Sequence, residues 1–316
     1  MTATGTILEM PMQRNVDFAS DLESAVSRTT VIRRDEPLAK RTTLRVGGPA
    51  DYYVEPASED DLAAVLRLCG RRATPFFILG RGSNLLVRDG GFRGVVICLA
   101  QAPFSQIEIA GDKIRCGAGA KLKNVAVEAR RNGLTGVEFL EGIPGSVGGA
   151  LRMNAGAMGG QTFDAIESVR VMNFNGDLCE MLPEKMQVAY RGCAMLRNHV
   201  ALAAVFKCAR ASREDIEKRM KTFSEKRWDS QPAAPSAGCI FKNPAMAPAG
   251  KLVDELGLKG ARVGGAVVSA EHGNFIINDG KATARDVLAL IEVLKAKIKT
   301  ERGIDLHTEV EIIGED

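Results

Sequence analysis

The sequence predicts two domains in which α-helices and β-strands are mixed. Its 316 residues compare with about 100–200 for a typical domain, and strand-like runs alternate with amphipathic helices along the chain. Hydrophobic residues (45%) and charged residues (26%) occur in the proportions of a globular protein. Glycine is unusually frequent at 33 residues, which indicates many backbone turns. The main domain boundary is predicted near residue 210.

Helices are predicted from capping residues and from apolar residues at helical spacing. They cover 58–70 with Ser58 as N-cap, Lys121–Asn132 ending at Gly133, a segment opened by Ser212-x-x-Asp215, and a segment from Thr283-x-x-Asp286 to near Gly303. Strand-like runs are Tyr52–Glu55, Phe76–Leu79, Gly94–Leu99, Gln106–Ala110, Lys113–Gly117, Ser168–Asn173, His199–Cys208 and Thr308–Ile313. Residues 1–20 show little periodicity and are predicted to form a loose extension.

The first of two glycine-rich segments is Ile78–Val87, with the sequence ILGRGSNLLV. Gly80 and Gly82 permit positive φ and let main-chain N–H groups surround an anion. The pattern differs from the dinucleotide fingerprint G-x-G-x-x-G, because Leu85 occupies the third glycine position and no helix follows. The segment is therefore predicted to be strand–loop–strand, either a plain hairpin connection or a phosphate-binding loop.

The second glycine-rich segment runs from Gly142 to Ala157 and contains GIPGSVGGA followed by NAGA. It lacks the Gly-Lys-Ser/Thr of a P-loop, so nucleotide hydrolysis is not indicated. Such a loop could be merely flexible, and it shows no sustained period. Apolar segments flank it, however, and two such loops in one region favour a large ligand that carries phosphate.

Charge and cysteine content exclude several classes of protein. The 42 basic and 39 acidic residues leave a net charge of +3, which does not favour nucleic acid as a partner and is compatible with small anionic ligands. The sequence has seven cysteines, an odd number, and no pair has C-x-x-C spacing. This pattern predicts reduced thiols and no metal site. Neither a signal peptide nor an apolar run of 18 residues is evident, so we expect a cytoplasmic protein with no membrane insertion.

Several further motifs occur in a family-specific order. They are Thr43–Ala50 (TLRVGGPA), the two glycine-rich segments, Tyr190-Arg191, Ser236–Pro244 (SAGCIFKNP), Ala249–Leu252 (AGKL) and Glu309-Val310. From about residue 38 to 314 the chain resembles the UDP-N-acetylenolpyruvoylglucosamine reductase (MurB) family. The resemblance implies an α+β fold with an FAD-binding domain of the p-cresol methylhydroxylase (PCMH) type and an α+β substrate domain. The implied divisions are an FAD domain over 21–210, with lobes of about 21–100 and 101–210, a substrate domain over 211–305, and a C-terminal strand over 306–316 carrying the catalytic Glu.

The resemblance also implies the reaction. NADPH is expected to reduce FAD, and FAD N5 then passes hydride to the enolpyruvyl group of UDP-N-acetylglucosamine enolpyruvate. A proton from Cys239 completes UDP-N-acetylmuramate, a precursor of peptidoglycan. The expected partners are these two small molecules, and the expected state is a monomer.

Three residues carry the catalytic roles that the resemblance implies. Arg191 is a permanent cation whose fork suits a carboxylate or an aci-carboxylate intermediate. Glu309 assists as a protonated acid or by orienting a donor, so we expect a raised pKa. Cys239 stands where many relatives have Ser, and a thiol is a stronger acid than a hydroxyl. Glu311 is a second departure, because many relatives carry Arg there, so that cation is absent or supplied elsewhere.

The binding residues are likewise carried over from the family motifs. For FAD they are Val46, Gly47, Gly80, Arg81, Gly82, Ser83, Asn84, Leu85, Gly119, Ile143, Pro144, Gly145, Ser146, Gly148, Gly149, Asn154 and Gly156. For the UDP-sugar they are Tyr190, Arg227 and Asn243. His272 is interpreted as structural, because the mechanism already has its acid.

Two other functions are compatible with parts of the pattern. An oxidase or dehydrogenase of the same flavin-binding superfamily would often tether FAD through an N-terminal histidine, but the first histidine here is His199. A module that only stores or senses its ligand would bind yellow cofactor without bleaching by NADPH. The combination of Arg191, Cys239 and Glu309 argues against storage, because a storage site needs no proton donor.

Overall fold

The computed structural model describes residues 16–316. Its α-helices, numbered α1 to α7, are Val16–Ala25, Glu59–Arg71, Leu122–Arg131, Val147–Met153, Arg213–Ser230, Ala249–Glu255 and Ala284–Arg302. The predicted N-caps Ser58, Ser212 and Thr283 are confirmed, each accepting a hydrogen bond from the backbone N–H three residues on. No helix in the described part of the chain is long and apolar enough to cross a bilayer.

The predicted N-terminal extension is wrong for residues 16–20, which belong to α1. Phe18 is buried, and its ring lies 5.1 Å from that of Tyr52, so this helix is attached to the first sheet. Apolar contact with the sheet decides the structure here, since the local sequence has little periodicity. Residues 1–15 lie outside the described residues.

Two sheets form the N-terminal part of the molecule. The first is Val31–Pro37, Pro49–Glu55, Phe92–Cys98 and Phe76–Leu79 in spatial order, antiparallel at its first pairing and parallel at the others. The second is Leu178–Met181, Ile166–Asn173, His199–Lys207, Lys113–Gly117 and Ile107–Ala110, antiparallel throughout. Short two-stranded pairs are Leu134–Thr135 with Ala209–Arg210, Gly156–Ala157 with Gly160–Gln161, and Val188–Ala189 with Gly192–Cys193. Both sheets and helices α1 to α4 contribute to one hydrophobic core.

The C-terminal part has its own sheet and core. The sheet contains Ser236–Cys239, Phe275–Asn278, Ala266–Val268 and Arg262–Val263 in spatial order, all antiparallel. Its core also contains Leu44, Val46 and Leu86 from the N-terminal part. The final strand, Glu311–Ile313, pairs in parallel with Leu85–Val87. This strand pair therefore links the C-terminal part to the N-terminal part.

Helix α5 packs with the first core, although it follows the boundary predicted near residue 210. Ile216 and Met220 are buried in that core. Arg219 forms an ion pair of 2.9 Å with the buried Glu138. A boundary drawn on packing thus falls after α5, because the helix's few apolar residues bury against the N-terminal part. The division into functional domains stays a prediction.

Candidate active site

The two glycine-rich segments line one cleft, with a volume of about 840 Å³. Gly80–Leu85 and Gly142–Ser146 form part of its wall. The unbroken stretch 231–239 forms another part, together with Arg191 and Glu309. A second cleft, of about 500 Å³, shares lining residues that include Gly80 and Ser146 with the first. The two clefts are therefore neighbours that share part of their walls.

The first glycine-rich segment joins strands that do not pair with each other. Phe76–Leu79 pairs with Phe92–Cys98, whereas Leu85–Val87 pairs with Glu311–Ile313. The strand–loop–strand prediction is confirmed, and the alternative of a plain hairpin connection is wrong. Gly82 has φ +62°, and a Cβ there would lie 2.4 Å from the Arg41 carbonyl oxygen, so this turn requires glycine.

The second glycine-rich segment contains α4, which sequence periodicity did not indicate. Gly148 and Gly149 lie in its first turn despite the low helix propensity of glycine. A Cβ on Gly148 would meet that of Ala118 at 3.1 Å, so the helix approaches the neighbouring chain closely. The buried N-cap residue Ser146 makes no side-chain capping bond. Its hydroxyl is therefore available beside the cleft.

The lining fits FAD in shape and charge. The two glycine-rich segments meet closely at the cleft, where a Cβ on Gly80 would lie 2.8 Å from Ser146 Oγ. Because glycine has no side chain, a ligand in the cleft can approach the backbone directly. Arg81 and Arg152 line both clefts and could balance a diphosphate. Arg191 also reaches this wall with its guanidinium, whose Nε faces Glu309. A polar, anionic ligand would satisfy these groups.

Most of the predicted FAD residues line these clefts. Those at the first are Gly80, Arg81, Gly82, Ser83, Asn84, Leu85, Ile143, Pro144, Gly145, Ser146, Gly149 and Gly156, and those found only at the second are Gly119 and Gly148. The remaining three predicted FAD residues, Val46, Gly47 and Asn154, are in neither described lining and make structural contacts. Val46 is in the C-terminal core, and Gly47 faces Val87, where a Cβ would lie 2.6 Å from the valine Cβ. Asn154 bonds Gln161 at 2.9 Å and accepts the Phe163 N–H at 3.2 Å.

Arg191 and Glu309 form an ion pair at the cleft wall. Arg191 Nε lies 2.8 Å from Glu309 Oε1. Arg191 also has φ +54°, a strained conformation for a residue with a side chain. Glu309 is fixed by its backbone, because its N–H donates to the Ile240 carbonyl at 2.7 Å and its carbonyl accepts from Asn84 Nδ2 at 3.1 Å.

Cys239 is held at the end of the strand Ser236–Cys239. Gly238, with φ +73°, turns the chain just before it. Just after it, Asn274 accepts the Phe241 N–H at 2.9 Å and donates to the Phe241 carbonyl at 2.8 Å. Asn274 is almost fully buried, so it fixes the backbone that carries the thiol.

Burial and charge shift the acidity of both candidate acids. Burial, reinforced by the negative charge of Glu309, raises the pKa of Cys239 to about 12, while Arg191 and Asn274 act in the opposite direction. Burial also raises the pKa of Glu309, against the attraction of Arg191 and Lys242. The thiol therefore keeps its proton at neutral pH. The expectation of a raised pKa for Glu309 agrees with this direction.

The predicted sugar-nucleotide residues differ in position. Arg227 lines the cleft, and burial lowers its pKa. Tyr190 is 52% exposed and lies outside the described lining, with its ring 5.1 Å from the Arg191 guanidinium carbon. Asn243 accepts the Ala249 N–H at 3.0 Å at the start of α6, which is a structural contact. His272 accepts the Asn274 N–H at 3.1 Å, consistent with its structural interpretation.

Family models and relatives match this arrangement. Residues 50–181 match a model described as an FAD binding domain, and residues 231–313 match the UDP-N-acetylenolpyruvoylglucosamine reductase C-terminal domain. A UDP-N-acetylenolpyruvoylglucosamine reductase of Clostridium kluyveri is 41% identical over 96% of this chain and 100% of its own length. One from Clostridium botulinum (strain Hall) is 41% identical over 96% and 99%. The MurB crystal structure from Thermus caldophilus superposes with a TM-score of 0.79 at 38% identity, covering 90% of this chain and 99% of that one.

The chain belongs to the UDP-N-acetylenolpyruvoylglucosamine reductase (MurB) family. It is an FAD-dependent oxidoreductase of peptidoglycan precursor synthesis, and NADPH is the standard reductant of the family. The predicted α+β fold is confirmed by the two matched domains and the structural match. The C-terminal model begins at residue 231, where α5 has just ended.

Glu311, which stands where many relatives have Arg, forms an ion pair with an arginine from another part of this MurB chain. Arg152, on α4, lines both clefts, and its Nη2 lies 2.7 Å from Glu311 Oε1. Its Nη1 donates to the Leu196 carbonyl at 2.9 Å, which fixes the side chain. Sequence reasoning missed Arg152 because its partner is 159 residues away.

Two further residues of the MurB clefts were missed or misjudged. His199, the first histidine of the sequence, lines the second cleft, with Nδ1 3.1 Å from the Met195 carbonyl oxygen. Trp228, the only Trp of the sequence, lines the first cleft.

Proposed function

We propose that the enzyme reduces the enolpyruvyl group of UDP-N-acetylglucosamine enolpyruvate to UDP-N-acetylmuramate, with NADPH as the source of electrons. One observation carries the proposal: a guanidinium, a thiol and a carboxyl group share the wall of the cleft lined by both glycine-rich segments. FAD, when bound, supplies the hydride, which no side chain can donate. The residues then have to stabilise negative charge and deliver a proton.

Arg191 is suited to the negative charge. Addition of hydride to the terminal carbon builds negative charge on the carboxylate side of the substrate, and a fixed guanidinium there stabilises the transition state more than the ground state. Its guanidinium lines the cleft, which supports contact with a ligand oxygen. The adjacent Glu309 balances the cation before the substrate binds.

Cys239 is suited to the proton transfer. Its S–H bond breaks as a C–H bond forms at the carbon adjacent to the one that received hydride, and a thiolate remains. Glu309 lies close enough for its charge to affect the thiol. Uptake of a proton by Glu309, which its raised pKa favours, would remove the negative charge that opposes thiolate formation. Solvent protons restore the thiol after the product leaves.

The binding roles follow the same assignment. Arg227 contacts the diphosphate of the UDP-sugar, and the cleft-lining glycine-rich residues hold FAD. Residues 211–305 form the substrate domain, and 306–316 deliver Glu309. The reaction is assigned to the cytoplasm and the enzyme to a monomer, on the family resemblance.

An anaerobic absorbance spectrum of the purified protein tests the proposal. NADPH should bleach the oxidised flavin bands, and UDP-N-acetylglucosamine enolpyruvate should restore them in the absence of oxygen. A flavin-storage module would show no bleaching. An oxidase of the same superfamily would be reduced by an alcohol and reoxidised by oxygen, without any response to the enolpyruvyl substrate.

A further inference from the structure

A large aromatic side chain is exposed at the wall of the first cleft. Trp228 lies near the end of α5, lines the cleft and is 66% exposed. An indole has a broad apolar face, and leaving it in water forgoes the free energy of burying that face. In a cleft wall, this arrangement is suited to a planar partner that arrives with the ligand.

The neighbouring side chain gives an independent indication of the ligand. Arg227 is half-buried at the same cleft. The charge of Glu141 attracts it, but within residues 16–316 no carboxylate lies close enough to form an ion pair with it. A permanent cation in a partly desolvated position favours an anionic partner. Gly142 lies beside it, with the Arg227 Cδ 3.9 Å from where a glycine Cβ would be, so the guanidinium stem packs on the second glycine-rich segment.

The wall between this cation and the thiol is continuous. Residues 231–239 all line the cleft, from the turn after α5 to Cys239. A ligand that reacts at Cys239 and places a diphosphate near Arg227 has its remaining group, the nucleoside, at the α5 end of the cleft. The base is the planar partner that an exposed indole can accept.

We propose that Trp228 is a stacking platform for the base of a nucleoside diphosphate ligand, whose diphosphate lies against Arg227. The inference rests on the proposed function and specifies which residue recognises the nucleotide. The shared chemistry is a base next to a diphosphate, and both the UDP-sugar and NADPH carry it. Such stacking does not depend on which base is bound, because every base has a π-face.

The fluorescence of the single tryptophan tests this in the FAD-loaded enzyme. UDP, NADP⁺ and inorganic pyrophosphate are titrated separately. We expect saturable quenching by UDP if the platform takes uracil, or by NADP⁺ if it takes a base of the reductant, and no quenching by pyrophosphate. Unchanged emission at concentrations of UDP and NADP⁺ that inhibit turnover would overturn the inference.

Steady-state kinetics provide the second measurement. Trp228→Leu keeps apolar bulk but loses the π-face, and it should raise the KM of the nucleotide that stacks there about 5- to 50-fold. Trp228→Tyr should restore most of that loss, and Leu182→Ala, at an exposed residue outside the described cleft lining, is the control. Unchanged KM values for both nucleotides in Trp228→Leu would also overturn the inference. Flavin bleaching and reoxidation by the wild type report separately on the proposed function.

Discussion

Arg191 Nε lies 2.8 Å from Glu309 Oε1, in an ion pair at the wall of the cleft. Both side chains are largely shielded, with exposures of 23% and 13%. Burial raises the pKa of Glu309 at the same time. A substrate carboxylate could therefore compete for the guanidinium, and the competition becomes easier when Glu309 takes a proton.

Replacing Arg191 should affect one half-reaction only. Arg191→Gln removes the charge that stabilises the developing anion, and we expect the rate of flavin reoxidation by the enolpyruvyl substrate to fall about 10²- to 10³-fold. Reduction of the flavin by NADPH should change much less. Stopped-flow absorbance measures the two steps separately, with the exposed Arg131→Gln as control. Equal losses in both steps would contradict the assigned role.

Replacing Cys239 should separate proton donation from packing. Cys239→Ala should allow flavin reduction by NADPH but stall reduction of the enolpyruvyl group, because no proton donor remains. Cys239→Ser retains a donor and should recover part of the turnover. The exposed Cys179→Ala is the matched control. Full turnover by Cys239→Ala, measured under anaerobic single-turnover conditions, would remove this thiol from the mechanism.

The pH dependence of thiol alkylation should report the charges around Cys239. A pKa of about 12 predicts slow reaction with iodoacetamide at pH 8 and a rate that still rises at pH 10. The negative charge of Glu309 raises this pKa, so Glu309→Gln should lower it and speed alkylation about 3- to 10-fold at fixed pH. Arg191→Gln should slow it. Mass spectrometry of the peptide containing Cys239 distinguishes this thiol from the others, and slower alkylation in Glu309→Gln would contradict the electrostatic explanation.

Gly82 and Gly111 form a matched pair for testing the glycine-rich turn. Both have φ near +65° (+62° and +66°), but a Cβ meets backbone at 2.4 Å only at Gly82 and nothing within 4 Å at Gly111. Gly111→Ala should cost about 1–2 kcal/mol of unfolding free energy through backbone strain alone. Gly82→Ala should cost more and also reduce bound FAD. Chemical denaturation and the flavin-to-protein absorbance ratio measure these effects, and equal losses would show that the close approach is unimportant.

Arg152 and Glu311 should affect ligand binding together, because each neutralises the charge of the other. Arg152→Gln leaves the Glu311 carboxylate unbalanced in a cleft that receives anionic ligands, and we expect weaker FAD retention and a higher substrate KM. The double variant Arg152→Gln/Glu311→Gln should recover part of the loss, with a coupling of about 0.5–3 kcal/mol. Additive losses in this double-mutant cycle would show that Glu311 does not depend on Arg152.

Local sequence patterns were sufficient to predict the elements whose conformation depends on neighbouring residues. The caps Ser58 and Thr283 and the strands Phe76–Leu79 and Lys113–Gly117 are found as predicted. These features depend on hydrogen bonds a few residues apart and on short apolar periods. Helix α4 lacks such signals, because its glycines disfavour a helix until Ala118 packs against it.

The sequence by itself determined the alternation of helices and strands, the glycine-rich turns and, through its ordered motifs, the family. Only the tertiary structure decided which motif residues line the clefts, that Asn154 and Asn243 have structural contacts, and that Arg152 balances Glu311. The physical reason is that these contacts depend on packing. Arg152 and Glu311 are 159 positions apart, and the partners of Asn154 and Asn243, although near in sequence, come within hydrogen-bond distance only through the fold of irregular segments that no local pattern encodes.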